Sequence, residues 1–177
     1  MKKLTVLLLT ILFVSLFAQE VKMTVTSNAF KDGELIPVEY TGYGEDKSPD
    51  LIINDLPKDT KTLAIIMDDL DVPFTSEYNH WIIFNIPVLN YIPSGIPGGG
   101  KIDAPFTATQ GVGYGKNIYR GPKPPAFMKK PHQYVFTVYA LSDEVNLTEK
   151  ANKKDLLKAM EGKILSEAKI TGLYGNK

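Results

Sequence analysis

The chain has 177 residues, of which 44% are hydrophobic and 23% are charged; this composition is typical of one globular domain with a real core and excludes a disordered chain. Lysine and arginine equal aspartate and glutamate at 20 each, so the charge balance does not favour a nucleic-acid partner. The absence of cysteine excludes disulfides, thiolate catalysis and cysteine-based zinc sites.

The N-terminus is typical of a signal peptide. Lys2 and Lys3 precede an apolar run from Leu4 to Phe17, and Ala18 supplies a small residue for cleavage. The run has 14 residues, fewer than the roughly 20 that a membrane-spanning helix needs. We therefore expect residues 1–18 to be removed, residues 19–177 to form the mature domain, and the protein to be periplasmic or secreted. An uncleaved membrane anchor is the alternative.

Short strands are predicted through the first third of the chain. Hydrophobic and polar residues alternate from Val21 to Thr26, as in a half-buried strand. A second short strand is expected from Ile36 to Tyr40, at a sheet edge because Pro37 cannot donate a backbone hydrogen bond. Residues 42–49 are expected to form a loop, which leads into a third strand from Leu51 to Ile53.

Two central strands place ionisable side chains at their ends. The run from Leu63 to Met67 is typical of a strand buried on both faces, and it is followed by Asp68, Asp69 and Asp71. The next buried strand opens with His80. Loops at the ends of a rigid scaffold often carry function, so these side chains are candidates for a binding site.

The second of the two histidines, His132, opens another apolar strand, from Tyr134 to Leu141. The simplest hypothesis is that His80 and His132 face one pocket. Either ring could become cationic near neutral pH.

The remaining segments predict irregular structure and one helix. Residues 88–115 are rich in glycine and are expected to form a long loop, while the prolines of residues 119–125 stiffen the next segment. From Asn152, a capping-box pattern opens a helix of about four turns that reaches Ala168 and is interrupted by Gly162. A final strand or packed tail follows from Ile170 to Tyr174. Strands dominate overall, so the expected fold is a β-sandwich with one or two peripheral helices.

Several short motifs, in the correct order, resemble the phosphatidylethanolamine-binding protein family, also called Raf kinase inhibitor-like proteins, and in particular its bacterial and archaeal branch. The resembling segments are Ser48-Pro49-Asp50-Leu51, Asp69-Leu70-Asp71-Val72-Pro73, His80-Trp81 with Asn85-Ile86-Pro87, Gly121-Pro122-Lys123-Pro124-Pro125, and His132-Gln133-Tyr134-Val135-Phe136. The resemblance implies a mainly β fold of two packed sheets with a small anion pocket at one end.

By position, the resemblance assigns ten residues to that pocket or its immediate surroundings. They are Asp69, Asp71, Pro73, His80, Tyr119, Gly121, Pro122, Pro124, His132 and Tyr134. Imidazole and phenol groups could donate hydrogen bonds to a phosphate, and free backbone N–H groups near Gly121 could add donors. The aspartates could hold a histidine ring or pair with the ammonium of an ethanolamine head group, although they could equally cap turns.

The chain departs from the family pattern most clearly between Pro125 and His132. The six residues from Ala126 to Pro131 form a longer segment than is usual in the family. This insertion is expected to bring four side chains to the rim of the pocket, namely Phe127, Met128, Lys129 and Lys130.

Three classes of function follow from these residues. The first is an exported binding protein for phosphate-bearing ligands or phospholipid head groups. The second is a secreted inhibitor or interaction protein that acts on a protease, a kinase or a host protein. The third, an enzyme with a metal held by aspartates and histidines, is disfavoured because no HExxH helix, nucleophile elbow or P-loop is present. We expect no catalytic residue, cofactor, metal or nucleic-acid partner, and we leave a protein partner and a homodimer open.

Overall fold

The computed structural model describes residues 22–73, 75–125, 127–128 and 130–175. The predicted signal peptide lies outside this part of the chain. No helix in the described part is long and apolar enough to cross a membrane.

Within the described residues, nine strands form two sheets, and every pairing between these strands is antiparallel. The strands are β1 (Thr24–Thr26), β2 (Leu51–Asn54), β3 (Thr62–Asp69), β4 (Tyr78–Ile86), β5 (Tyr91–Ile92), β6 (Lys101–Ile102), β7 (Ala108–Gln110), β8 (His132–Leu141) and β9 (Ile164–Tyr174). The small sheet has the order β1-β2-β5, and the large sheet has the order β6-β7-β4-β3-β8-β9. The predicted two-sheet β-sandwich is therefore confirmed.

The central strand β3 is buried along its whole length because both of its faces are covered. Ile65 and Met67 point into the core between the two sheets, together with Ile53 of the small sheet. Ala64 and Ile66 point to the opposite face of the strand and pack against the α-helix α1 (Lys153–Met160). This double coverage explains the continuous apolar run in the sequence.

The helix begins as predicted but ends earlier than predicted. The Asn152 side chain accepts a hydrogen bond from the backbone N–H of Asp155, whose side chain accepts one from the backbone N–H of Asn152, which completes the capping box. The helix stops at Met160, and Gly162 follows with a φ of 72°, a conformation that glycine adopts most readily. The expected four-turn helix to Ala168 is therefore wrong.

The residues beyond Gly162 form β9, the longest strand, instead of the second half of that helix. It pairs with β8 from His132↔Tyr174 to Leu141↔Ile164. Ala168 and Ile170 are buried at alternate positions along it. The segment therefore follows the two-residue repeat of a strand, and the helical spacing of its apolar residues was misleading. The expected final strand is thus present, and it starts six residues earlier.

A second correction concerns the strand expected from Ile36 to Tyr40. The chain instead forms a 3₁₀ turn over Val38–Tyr40, in which the backbone N–H groups of Tyr40 and Thr41 donate to the carbonyls of Pro37 and Val38. Pro37 starts this turn, and its fixed φ suits that position. The predicted irregular region 88–115 contains three short strands, β5, β6 and β7.

Candidate functional site

The ends of three neighbouring strands bring the predicted site residues together. Asp69 at the end of β3 pairs with Tyr78 near the start of β4 and with Tyr134 near the start of β8. His80 lies two residues beyond Tyr78, and His132 two residues before Tyr134, so each histidine shares a face with its tyrosine. Antiparallel pairing therefore places both histidines at one end of the large sheet.

A cavity of about 330 Å³ opens at this end of the sheet. Its lining residues are Asp69, Val72, Pro73, Tyr78, His80, Tyr114, Lys123, Pro124, Pro125, Phe127, Met128, His132 and Tyr134. Six of the ten residues proposed from sequence line this cavity: Asp69, Pro73, His80, Pro124, His132 and Tyr134. The expectation that both histidines face one pocket is met by this arrangement, whereas ligand binding by these residues stays a prediction.

His132 is held by the carboxylate of Asp69. Its Nδ1 lies 2.8 Å from Oδ2 and 3.1 Å from Oδ1 of Asp69. Because an ionised carboxylate only accepts hydrogen bonds, the ring proton is at Nδ1. Its other nitrogen, Nε2, lies 3.3 Å from the Sδ atom of Met128. Asp69 also accepts the backbone N–H of Asp71 at 2.9 Å, so its side chain is fixed from two directions.

His80 is held in the same manner by a backbone carbonyl. Its Nδ1 donates to the carbonyl oxygen of Arg120 at 2.7 Å, which assigns the ring proton to Nδ1. Burial lowers the pKa of His80 below its usual value, despite the opposing charge of Asp69. The neutral ring is therefore favoured, with its lone pair at Nε2.

Aromatic rings form much of the cavity wall. The rings of Tyr78 and Tyr114 meet edge to face at 5.1 Å, and the His80 ring lies 5.3 Å from Tyr134. Burial, followed by the negative charge of Asp69, raises the pKa of Tyr134 far above its usual value, so its hydroxyl stays protonated. Tyr78 and Tyr114 are 44% and 43% exposed, which places them at the mouth of the cavity.

Four of the sequence-predicted residues lie outside this lining. Asp71 lies outside the lining and accepts the backbone N–H of Gln133, 62 positions along the chain, at 2.8 Å, so this bond is not the turn cap that was the alternative for Asp71. Tyr119 is 1% exposed and donates its hydroxyl to the carbonyl of Tyr40. Pro122 is buried, and its carbonyl accepts the backbone N–H of Gly42.

Gly121 has a structural task that the sequence did not reveal. Its backbone N–H donates to Oδ1 of Asp46 at 2.6 Å, so the N–H of Gly121 itself is not one of the free donors expected near this residue. A Cβ atom at Gly121 would lie 2.2 Å from the carbonyl oxygen of Tyr40. Glycine is therefore required for the close packing of the segment 119–125 against residues 40–46.

Sequence reasoning missed two of the cavity's tyrosines. Tyr78 had a usable signal, because a residue two positions before His80 in a strand faces the same side. Tyr114 comes from the irregular region 88–115, and no local pattern connects it to the site. Of the two rim lysines, Lys129 lies outside the described residues, and Lys130 is exposed without lining the cavity. Lys123 also lines the cavity, but its ammonium lies over the ring of Tyr43, 5.7 Å from the ring centroid.

The described residues contain no group of three or more histidine, aspartate, glutamate or cysteine side chains placed to hold a metal ion. The polar groups of the site are two imidazoles, a carboxylate and a phenol, and aromatic and proline side chains surround them.

Three comparisons with known proteins relate this chain and its fold to one family. Residues 26–175 match the family model described as phosphatidylethanolamine-binding protein. The UPF0098 protein PH1269 of Pyrococcus horikoshii is 42% identical over 160 residues, which cover 89% of this chain and 80% of the relative.

Two crystal structures share the fold over almost their whole length. A phosphatidylethanolamine-binding protein homolog, CT736 from Chlamydia trachomatis, is 33% identical with a TM-score of 0.77, covering 88% of this chain and 99% of its own. Escherichia coli YbcL, described as a new member of the mammalian PEBP family, is 29% identical with a TM-score of 0.78. The match covers 89% of this chain and 100% of YbcL.

Proposed function

Because the chain belongs to the phosphatidylethanolamine-binding protein family, we propose that it is an exported, non-catalytic binding protein whose cavity takes a phosphate-bearing small molecule or a phospholipid head group. One observation carries the proposal. Two imidazoles from different strands meet in one cavity, and each has its Nδ1 committed to a fixed acceptor, Asp69 for His132 and the Arg120 carbonyl for His80. Each ring therefore keeps Nε2 for a ligand, which at His132 would replace the contact with the weakly accepting thioether of Met128 at 3.3 Å.

The hydrogen-bonding capacity of the cavity suits a phosphate monoester that shares a proton with the rings. The second pKa of such a group is about 6, so near neutral pH it can carry one P–O–H donor. That donor can bond to the lone pair of one imidazole, while the other imidazole, once protonated, donates to a phosphate oxygen. The volume of about 330 Å³ lies at the small end of the range for ligand pockets, which suits a head group.

The described lining lacks the serine, threonine and cysteine side chains that a histidine base commonly activates. Among the described residues that form the cavity, none is a serine or threonine, and the chain has no cysteine, so the usual pairing of a hydroxyl or thiol with a histidine base is not provided. We therefore favour binding over catalysis.

Thermal unfolding with inorganic phosphate and with phosphoethanolamine tests the proposal. A ligand at 100 times its dissociation constant stabilises the folded state by about 2.7 kcal/mol, so wild type should unfold at a higher temperature in its presence. His132→Ala should remove this rise, while Gln133→Ala, on the same strand but exposed, should keep it. The absence of any rise in wild type at millimolar ligand would overturn the proposal.

Export is a separate part of the proposal and has its own test. The motivating feature is the charged start and 14-residue apolar run that end at Ala18. Expression of the full chain followed by cell fractionation should give an extracytoplasmic protein with an N-terminus at Gln19. A protein that keeps its first 18 residues in the membrane fraction would favour the anchor instead.

A protein-interaction role is the second candidate, and the exposure of Phe127 favours it. This ring is 81% exposed at the cavity mouth, and exposed aromatic residues are enriched at protein interfaces. Phe127→Ser should weaken binding to a protein partner, such as a protease or kinase that the chain inhibits, and should change phosphate affinity less than His132→Ala does, because Phe127 lies at the mouth of the cavity. Unchanged inhibition in this variant would remove the rim from that role.

A further inference from the structure

Met128 is the methionine that solvent reaches among the described residues. Met23, Met67 and Met160 are exposed by 2% or less, and Met1 lies outside the described part of the chain. Met128 is partly exposed and lines the cavity. A small solute that enters the cavity therefore meets its thioether, whereas the thioethers of the other described methionines are enclosed by the core.

The thioether of Met128 also covers the ring nitrogen that a ligand at His132 would need. Its Sδ lies 3.3 Å from Nε2 of His132, while Asp69 holds Nδ1 of the same ring at 2.8 Å. The backbone N–H of Met128 donates to the carbonyl of Pro125 at 3.0 Å, which closes a turn at this position. Because a thioether is only a weak acceptor and has no proton to donate, it is a weak competitor for a ligand at Nε2.

Oxidation would change that contact, because methionine sulfoxide carries a polar oxygen on its sulfur. On the basis of the anion binding proposed above, we propose that Met128 is a site of reversible oxidation by hydrogen peroxide and that its sulfoxide closes the cavity to phosphate. In the oxidation step the sulfur gives an electron pair to one peroxide oxygen. The S–O bond forms as the O–O bond breaks, and the second oxygen leaves as water with both protons. The sulfur is thus oxidised by two electrons and the peroxide is reduced.

The surroundings of His132 favour closure by the sulfoxide. The sulfoxide oxygen is an acceptor beside Nε2, so a ring that is protonated at Nε2 donates a charge-assisted hydrogen bond to it. Asp69 lies at the opposite ring nitrogen, and its negative charge offsets the positive charge of that doubly protonated ring. Asp69 and His132 are 2% and 3% exposed, so water competes little for this bond. Phosphate would have to displace a strong internal hydrogen bond in place of a weak contact with sulfur.

Limited treatment of the full chain with hydrogen peroxide, followed by peptide mass mapping, tests the modification site. The chain has no cysteine, so no thiol competes for the oxidant. Met128 should gain an oxygen atom before Met23, Met67 and Met160 do, and a methionine sulfoxide reductase should remove it. Oxidation of Met128 no earlier than that of the three buried methionines would overturn the proposal.

Calorimetric titration with inorganic phosphate, before and after the same treatment, tests the closure. The affinity of wild type should fall roughly 10- to 100-fold, the range that a hydrogen bond to a charged group spans, and should recover after reduction. Met160→Leu, which keeps Met128, is the matched control and should lose affinity to the same extent. Met128→Leu, which cannot form a sulfoxide, should have the same affinity before and after peroxide. An unchanged affinity of the oxidised wild type would contradict the closure.

Nitrogen NMR of the two imidazoles separates failure of the closure from failure of the proposed function. If untreated wild type does not bind phosphate, the proposed function fails, but the contact between the sulfoxide and His132 is still measurable. Oxidation should shift the Nε2 signal of His132, which faces Met128, more than that of His80, whose recorded hydrogen bond is to the Arg120 carbonyl. An unchanged His132 signal, in protein that mass mapping shows to be oxidised at Met128, would also overturn the proposal.

Discussion

Asp69 and His132 lie on neighbouring antiparallel strands, and the carboxylate of Asp69 accepts a hydrogen bond from Nδ1 of His132. The Nδ1 atom lies 2.8 Å from Oδ2 and 3.1 Å from Oδ1 of Asp69. Both side chains are almost wholly buried. The contact fixes the ring's tautomer and direction, so the properties of His132 depend on a residue 63 positions away in the chain.

We expect Asp69→Asn to weaken the binding of inorganic phosphate at least tenfold, as measured by isothermal titration calorimetry. A hydrogen bond to a charged group contributes about 1.5–3 kcal/mol, and the amide cannot supply the negative charge that stabilises a ligand-bound, protonated His132. Asp71→Asn is the matched control, since this carboxylate lies two residues further along and faces Gln133. Equal losses in the two variants would mean that the Asp69–His132 contact has no special role.

The second prediction concerns pH and the stability of the ligand-free protein. Burial depresses the pKa of His80 in the folded state, with Tyr78, Tyr114 and Tyr134 packed around the ring. Below about pH 6.5, the usual pKa of histidine, the unfolded chain takes up a proton that folded His80 resists. Stability is therefore kept above pH 6.5 and lost as the pH falls through the folded-state pKa.

Urea unfolding between pH 8 and pH 5 measures this effect. One proton taken up by the unfolded chain alone gives a slope of about 1.4 kcal/mol per pH unit. The slope contributed by His80 should disappear in His80→Asn, whose side-chain amide can still donate to the Arg120 carbonyl. Carboxylates near the ring, Asp46, Asp68 and Asp69, remain in both proteins, so the difference between them reports His80. Parallel pH profiles would contradict the assignment.

Gly121→Ala should destabilise the fold by about 1–3 kcal/mol, the usual cost of forcing extra atoms into a packed region. The added Cβ would meet the backbone of Tyr40 and Thr41 at 2.2 and 2.9 Å, and backbone cannot swing aside as a side chain can. Gly42→Ala is the control, because its Cβ would meet the flexible side chain of Lys123 at 2.9 Å. Urea unfolding of both variants tests the difference, and similar losses would refute the explanation.

Gln110→Leu should be among the more damaging single substitutions, at about 4 kcal/mol or more. The fully buried Gln110 side chain accepts from the indole N–H of Trp81 and donates to carbonyls in the irregular region, those of Pro97, Gly99 and Asn117. Leucine would leave these groups without their partner, at about 1–3 kcal/mol for each buried group. Urea unfolding should show a large loss, whereas Gln133→Leu on the exposed surface should show little.

The sequence predicted the central strands and the sandwich correctly because their signals are local. The run from Leu63 to Met67 has the continuous apolar pattern of a doubly covered strand, and the structure places it between the small sheet and α1. The capping box of Asn152 and Asp155 likewise marks the start of the helix within four consecutive residues. These patterns depend on burial and capping, which act over short stretches of chain.

The errors arose where a pattern had two explanations. Ile164 and Ala168 fit a helical spacing, but the helix ends at Met160, and the segment after Gly162 pairs with β8 from Ile164 to Tyr174. Pro37 was taken as a sign of an edge strand and instead starts a 3₁₀ turn.

The sequence by itself determined the class of fold and the family resemblance, since side-chain alternation and short motifs are local patterns. That both histidines face one pocket was a hypothesis from the sequence, because it depends on the order of strands in the sheet. Only the tertiary structure decided which groups face each other. It turned Asp71 outward, committed the Gly121 N–H to Asp46, and brought Tyr114 and Met128 to the cavity. The physical reason is that hydrogen-bond partners and ring contacts depend on packing between residues that are distant in the chain, which no local pattern encodes.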